Sequence, residues 1–221
     1  MPINAPPRDP AQLPRELAVF PLSGAILLPR AELPLNIFEP RYLAMVEEAL
    51  RGARVIGMIQ PDEARPACAC GPALFGVGCA GRITQFAETG DGRLIVTLTG
   101  LSRFRVTGEI AGETPYRRCT VDYAPYARDL AACDGVEGRR NDVVAALRRF
   151  ARARGVQIDW KGVEETPTEA LVNGLAMMSP FGVAEKQALV EAPTLDQRAA
   201  ALIAMSEFSL AEPPAGKAAL Q

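Results

Sequence analysis

The residues in this 221-residue sequence best equipped for chemistry are five cysteines, a set of glycines and a few acids. Cys68-Ala69-Cys70, with Cys79 nearby, sets thiols close enough to suggest a metal site. A closed zinc site takes four ligands, usually from two paired cysteine elements. One C-x-C between Pro66 and Pro72 supplies half of that, so plain thiols and no metal are expected, with Cys119 and Cys133 structural or incidental. Gly76-Val77-Gly78-Cys79-Ala80-Gly81 matches G-x-G-x-x-G. A dinucleotide site needs those glycines to open a helix, with an acid ~20 residues further on. Here RITQF follows, which is strand-like, and position 101 is leucine. The glycines therefore read as permitting a bulge or a tight curl in a β-strand, and no cofactor is expected.

Histidine is absent. That removes Ser-His-Asp and Cys-His hydrolases and every imidazole metal site. Glu39 and Glu47 near Tyr42 are the only carboxylates worth weighing, and no partner group makes an acid–base pair of them. No catalytic residue is assigned.

Formal charge is −2 and the pI near 5.4, so no global field draws the chain to nucleic acid. Arg139, Arg140, Arg148, Arg149, Arg152 and Arg154 nevertheless face only Asp142 along one segment. They read either as a solvated helix face or as a patch for RNA or an acidic partner, carried by Arg148, Arg149 and Arg152. Met177-Met178 reads as a soft binding surface or as core filling. The N-terminal MPINAPPRDPAQLPRE has no apolar h-region, and no run approaches the ~20 residues of a membrane span. With free thiols in place of a disulfide framework, a cytoplasmic setting is expected.

Two halves position these residues. Residues 1–14 read as a disordered arm and 15–123 as a β subdomain. LAVFPL, RVIGMIQ, GRITQF, GRLIVTLTG, SRFRVTGEI and YRRCTVDY are its strands, with Thr89-Gly90-Asp91-Gly92 as a hairpin turn. Alternation puts Phe104, Val106 and Ile110 on one face and Arg103, Arg105 and Thr107 on the other. Residues 124–138 read as a linker, 139–210 as a bundle of about four helices, and 211–221 as a flexible tail. Val143, Leu147 and Phe150 give a helical stripe. Thr166-Pro167-Thr168-Glu169 and Thr194-Leu195-Asp196-Gln197 read as capping boxes. The fold class is α+β.

LPLNIFEPRY, residues 33–42, lies within the β subdomain, between a strand and what reads as a helix. Leu33 is held extended by the proline that follows it. Pro40 suits the first turn of a helix with Glu39 at its cap, and Leu43, Val46 and Leu50 form the inner stripe. Phe38 and Tyr42 are not required by capping. Each is either a core residue or the wall of a groove for an extended apolar peptide, with Arg41 beside it.

LAVFPLSGAILLPRAELPLNIFEPRYLAMVEEAL resembles the start of the N-terminal substrate-recognition domain of the Lon protease family. FGVGCAGRITQF, DGRLIVTLTGLSRFRV and LVNGLAMMSPFGVAEKQALVEAPTLDQRAAALI resemble its central strands and helical half, with an early arginine at Arg198. The resemblance spans roughly residues 15–210. It implies a PUA-like curled β barrel followed by a helical bundle that engages unfolded or exposed polypeptide. No G-x-x-x-x-G-K-[ST] loop occurs, and none of the five serines sits in the family's peptidase motif. The expectation is a non-catalytic polypeptide-binding protein, an adaptor in quality control with a protease or chaperone as partner and no membrane partner. Candidate contacts are Phe38, Arg41, Tyr42, Met177 and Met178. PUA-like barrels elsewhere bind RNA, so an RNA-binding module using Arg148, Arg149 and Arg152 is the alternative.

Overall fold

The structure is a computed structural model that describes residues 5–67, 71–131 and 139–211. Six strands come first: β1 (Glu16–Pro21), β2 (Glu32–Ile37), β3 (Val55–Ile59), β4 (Val77–Glu88), β5 (Leu94–Ile110) and β6 (Arg117–Asp122). One helix, α1 (Pro40–Arg51), crosses between β2 and β3. Five more follow: α2 (Arg140–Arg154), α3 (Trp160–Glu165), α4 (Thr168–Met178), α5 (Val183–Glu191) and α6 (Leu195–Ala211). The architecture is α+β, a curled sheet and then helices.

β5 is the reason the sheet closes. At 17 residues it is long enough to pair with β2 over residues 94–99, with β4 over 94–105, and then with β6 over 105–110. The sequence suggests two strands here; Gly100 instead carries one strand through the bend, with register shifts at Ala80/Gly81 on β4 and Val106/Gly108 on β5. The resulting order, β2-β5-β4-β3-β1-β6 with β6 returning to β5, makes a five-stranded ring with β2 attached outside it. Only β1 and β3 run parallel, as a crossover through β2 and α1 requires.

Apolar side chains divide into three clusters. Leu17, Val19, Ile59, Phe104, Cys119 and Val121 fill the ring. Phe20, Ile37, Tyr42, Met45, Met58 and Leu98 lie between the sheet and α1. Leu28 and Val77 join Val172, Leu189 and Leu202 of the bundle in the third. The buried side of α1 is Tyr42, Met45 and Val46, rotated from the expected stripe, with Leu43 and Leu50 only half-buried.

Several local expectations are corrected. Residues 5–14 are not a loose arm: Asp9 caps a short 3-10 turn, Leu13 is buried, and the Tyr123 hydroxyl donates to the Pro14 carbonyl at 3.0 Å. Ala124–Leu130 is a 3-10 segment with Asp129 buried, where a linker was expected; 132–138 and 212–221 lie outside the described residues. Glu39 stands at the α1 cap, yet its carboxylate accepts from Arg41 Nε at 2.9 Å rather than from the helix N–H groups. Thr166-Pro167-Thr168-Glu169 is no capping box either. Thr166 Oγ1 donates to the Gly162 carbonyl at 2.7 Å, and Glu169 pairs with Arg30. Thr194 does cap α6, accepting from the Gln197 N–H at 3.2 Å. The short α3, begun by Asp159 accepting from Gly162 N–H, has no apolar periodicity to announce it.

All four tyrosines have pKa values above their ordinary value near 10. Burial is the main cause at Tyr42, Tyr123 and Tyr126, and at Tyr116, where hydrogen bonding to Glu48 helps carry the hydroxyl up to about 12. A raised phenol pKa means the fold favours the protonated form. The linked stability is therefore complete below pH 10 and is lost as pH rises through the folded values. Tyrosinate absorbance of the native protein should lag that of the denatured chain across pH 10–12, with stability falling in the same window. Superimposable titrations would contradict these burials.

Candidate functional site

The bundle is bolted to the ring by polar side chains that a strand or helix pattern does not reveal. Alternation sets Arg103 on the face opposite Phe104 with Arg105 and Thr107; those two are exposed, but α5 and the 3-10 segment lie over Arg103 and leave it 4% exposed. Its Nε and Nη2 each donate to Asp129 carboxylate oxygens at 2.8 Å, and its Nη1 donates to the carbonyls of Val190 and Ala192 at 3.1 and 2.6 Å. Burial alone would lower the Arg103 pKa; Asp129 outweighs it, and the net shift is upward. Gln60 and Gln187 hydrogen-bond each other at 3.1 Å, and Gln187 also donates to the Val77 carbonyl. Lys186 Nζ donates to the carbonyls of Gly24 and Met177, with burial lowering its pKa. Within the bundle itself, Arg198 of α6 donates to Leu189 O at 2.8 Å and to Asn173 Oδ1 at 2.9 Å, and burial brings its pKa down to about 10.

This joint holds a groove of about 430 Å3 open on one side. Pro29, Ala31 and Glu32 form one lip; Ala170, Gly174, Met177 and Met178 of α4 form the other. Asn173 Nδ2 donates to the Pro29 carbonyl at 3.1 Å, and the Arg30–Glu169 ion pair ties the lips at one end. Arg30 has positive φ (64°), a costly backbone state that this anchoring holds in place. Met178 is 84% exposed, while Met177 is half-buried and packs against two of the clusters.

The other sequence candidates divide. Phe38 is 60% exposed at the far end of β2, with the Arg93 guanidinium 6.0 Å from its ring centroid. Tyr42 is 6% exposed, its ring 4.2 Å from that of Phe20, so it is a core residue and is withdrawn as a contact. Arg41 is exposed, paired with Glu39 and stacked on Tyr42. Thus Met177 and Met178 share a groove, and Phe38 and Arg41 stand apart from it.

The arginine helix is mostly occupied internally. Arg140 donates to the carbonyls of Val163, Glu164 and Thr166, finishing α3, and Arg139 pairs with Asp196. Arg149 pairs with Glu207, Arg154 donates to Ser209, and Arg148 stacks on Trp160 at 5.2 Å. Arg152 lines an open hollow with Arg148 and Trp160.

In the G-x-G-x-x-G stretch, Gly81 stands at a register shift of β4, as a bulge there would require, while Gly78 serves a close approach: a Cβ there would lie 2.5 Å from the Met58 carbonyl oxygen. Cys79 and Cys119 are buried thiols whose pKa values burial pushes up, Cys119 to about 11; Cys68, Cys70 and Cys133 lie outside the described residues. No helix among the described residues is long and apolar enough to cross a membrane.

Comparison with known proteins places this arrangement. The chain is 28% identical over 201 residues to Lon protease 2 of Sorangium cellulosum, covering 85% of this chain and 24% of that protein. It is 29% identical over 110 residues to Lon protease 2 of Myxococcus xanthus, covering 50% of this chain and 13% of that protein. The chain thus spans about a quarter or less of the length of these relatives. Among solved structures, the N-terminal domain of Mycobacterium avium complex Lon protease superposes with TM-score 0.63 at 18% identity, covering 87% of this chain and 98% of that one. The Lon N-terminal domain protein from Xanthomonas campestris gives 0.60 at 22%, covering 86% and 97%. The family model described as "ATP-dependent protease La (LON) substrate-binding domain" matches residues 16–205, and the chain belongs to that family.

Proposed function

We propose that the chain captures exposed apolar segments of other polypeptides, with the groove between α4 and the start of β2 as the principal contact. The observation that carries this is Met178, an apolar side chain 84% exposed at the lip of a rigidly anchored groove. Unbranched, polarizable methionine adapts to varied side chains, which suits clients that differ in sequence. Phe38 supplies a second apolar contact at the other end of β2. Affinity comes from burying these side chains rather than from charge, which is nearly balanced across the molecule. In that role the domain holds clients for a proteolytic or folding partner.

The test is fluorescence anisotropy with a labelled, unstructured peptide rich in leucine and valine. Met178→Asp combined with Phe38→Ser should weaken binding by at least ~10-fold, since each buried apolar side chain contributes about 1.5–3 kcal/mol. Both positions are exposed, so the melting temperature should hardly move. Unchanged affinity in the double variant, or no binding by the parent protein, would remove the proposal.

A further inference from the structure

The sheet ends on a strand with one side unpaired. Among the described residues β2 pairs only with β5, and its other edge faces away from the ring. The phase of its peptide groups follows from one bond: the Gly100 N–H donates to the Ala31 carbonyl at 2.9 Å. Peptide groups along a strand alternate, so Leu33, Leu35 and Ile37 direct theirs at β5, opposite Leu98, Val96 and Leu94. Glu32, Pro34 and Asn36 direct theirs outward. Pro34 confirms the phase, because a residue without an N–H belongs where no ladder bond is missed. The same alternation buries Leu35 and Ile37 and exposes Glu32, Pro34 and Asn36.

This edge starts at the groove, which Glu32 lines, and ends beside Phe38. Its six residues span ~20 Å, so the two exposed apolar contacts are one short extended peptide apart. We infer that clients bind here by strand addition, an extended segment of about six residues pairing with the outer edge of β2. The inference rests on the polypeptide-binding reading above and names the backbone form of the client. Glu32 and Asn36 each offer an outward N–H and C=O, and Pro34 only a carbonyl. The pairing is therefore interrupted at its centre, which favours reversible capture and disfavours irreversible sheet growth. It also disfavours a second copy: in the fullest antiparallel overlap of two β2 strands, Pro34 would stand opposite Pro34 with no bond between them. A client with no proline there loses less. Sequence specificity is consequently low, with segments of high β-propensity preferred and proline-containing ones rejected.

The probe is a labelled peptide, acetyl-Lys-Val-Thr-Val-Thr-Val-Lys-amide, with two N-methylated forms that block alternate N–H groups on one edge or the other. Strand addition predicts that one methylated form loses at least ~10-fold in affinity while the other binds like the parent. Asn36→Pro should cause a similar loss with the melting temperature retained, since its N–H is outside the ladder, and Asn36→Ala should bind normally. Equal binding of all three peptides would overturn strand addition and leave groove binding standing. No binding by any of them would remove both. Sedimentation showing a dimer that Asn36→Pro dissolves and peptide fails to compete would assign the edge to a second copy and overturn the inference.

Discussion

Replacing Arg103 with alanine is expected to destabilise the protein by about 3–5 kcal/mol, because it leaves Asp129 buried and unpaired. For a domain of this size that is a fall in melting temperature of roughly 6–20 °C. The residue joins three parts of the chain: β5, the 3-10 segment through Asp129, and the end of α5 through the carbonyls of Val190 and Ala192. Its guanidinium also lies 4.7 Å from the Tyr126 ring centroid. Losing it should loosen the bundle from the ring, seen as faster proteolysis between the two and broader unfolding. Arg103→Met with Asp129→Leu should recover part of the stability, since no charge is then stranded. Recovery should be incomplete, because the two carbonyls keep no donor. Wild-type-like melting of Arg103→Ala would show that the ion pair is not what holds the joint.

The same residue marks the limit of what could be read from the amino-acid order. Period-two alternation correctly separates Phe104 from Arg103, but alternation only says that the two point opposite ways. It assumes that one face meets water, and so it does at Arg105 and Thr107, but at Arg103 the 3-10 segment and the end of α5 lie over the outer face, so Arg103 and Phe104 are both buried. Most strands, the hairpin after Glu88 and the longer helices were legible because their signals are local, whereas β5 reads as two strands, β2 only as an extended stretch, and α3 not at all. Gln60, Lys186 and Gln187 were not legible as a joint, since each gains meaning only from a carbonyl or amide brought in from a distant segment. The groove was half-legible. The methionine pair stood out in sequence, but which methionine turns outward depends on how α4 sits on the clusters below it. Phe38 and Tyr42 show the same: four residues apart, one is exposed and the other packs on Phe20.

Phe104→Ala should be the most damaging change inside the ring, at about 3–5 kcal/mol, and the glycines around it explain why the ring cannot readjust. The Phe104 side chain is fully buried and meets Tyr123 edge-on, with centroids 6.4 Å apart. Gly57 and Gly78 leave it room: a Cβ at Gly57 would lie 3.0 Å from Phe104 Cζ and 3.2 Å from Val19 Cγ1. A Cβ at Gly78 would lie 2.6 Å from Phe104 Cζ and 2.5 Å from the Met58 carbonyl oxygen. The two positions therefore differ in what they strike. Gly57→Ala strikes only side chains, so its cost of about 1–3 kcal/mol should shrink when Phe104→Leu is added. Gly78→Ala also strikes backbone, so Phe104→Leu should relieve little of its cost. Double-mutant cycles from denaturant unfolding measure this, with a coupling of ~0.5–3 kcal/mol expected for the Gly57 pair and a smaller one for the Gly78 pair. Equal couplings, or a Phe104→Ala cost below ~1 kcal/mol, would mean that the ring adapts around a smaller side chain and is not closed on this phenylalanine.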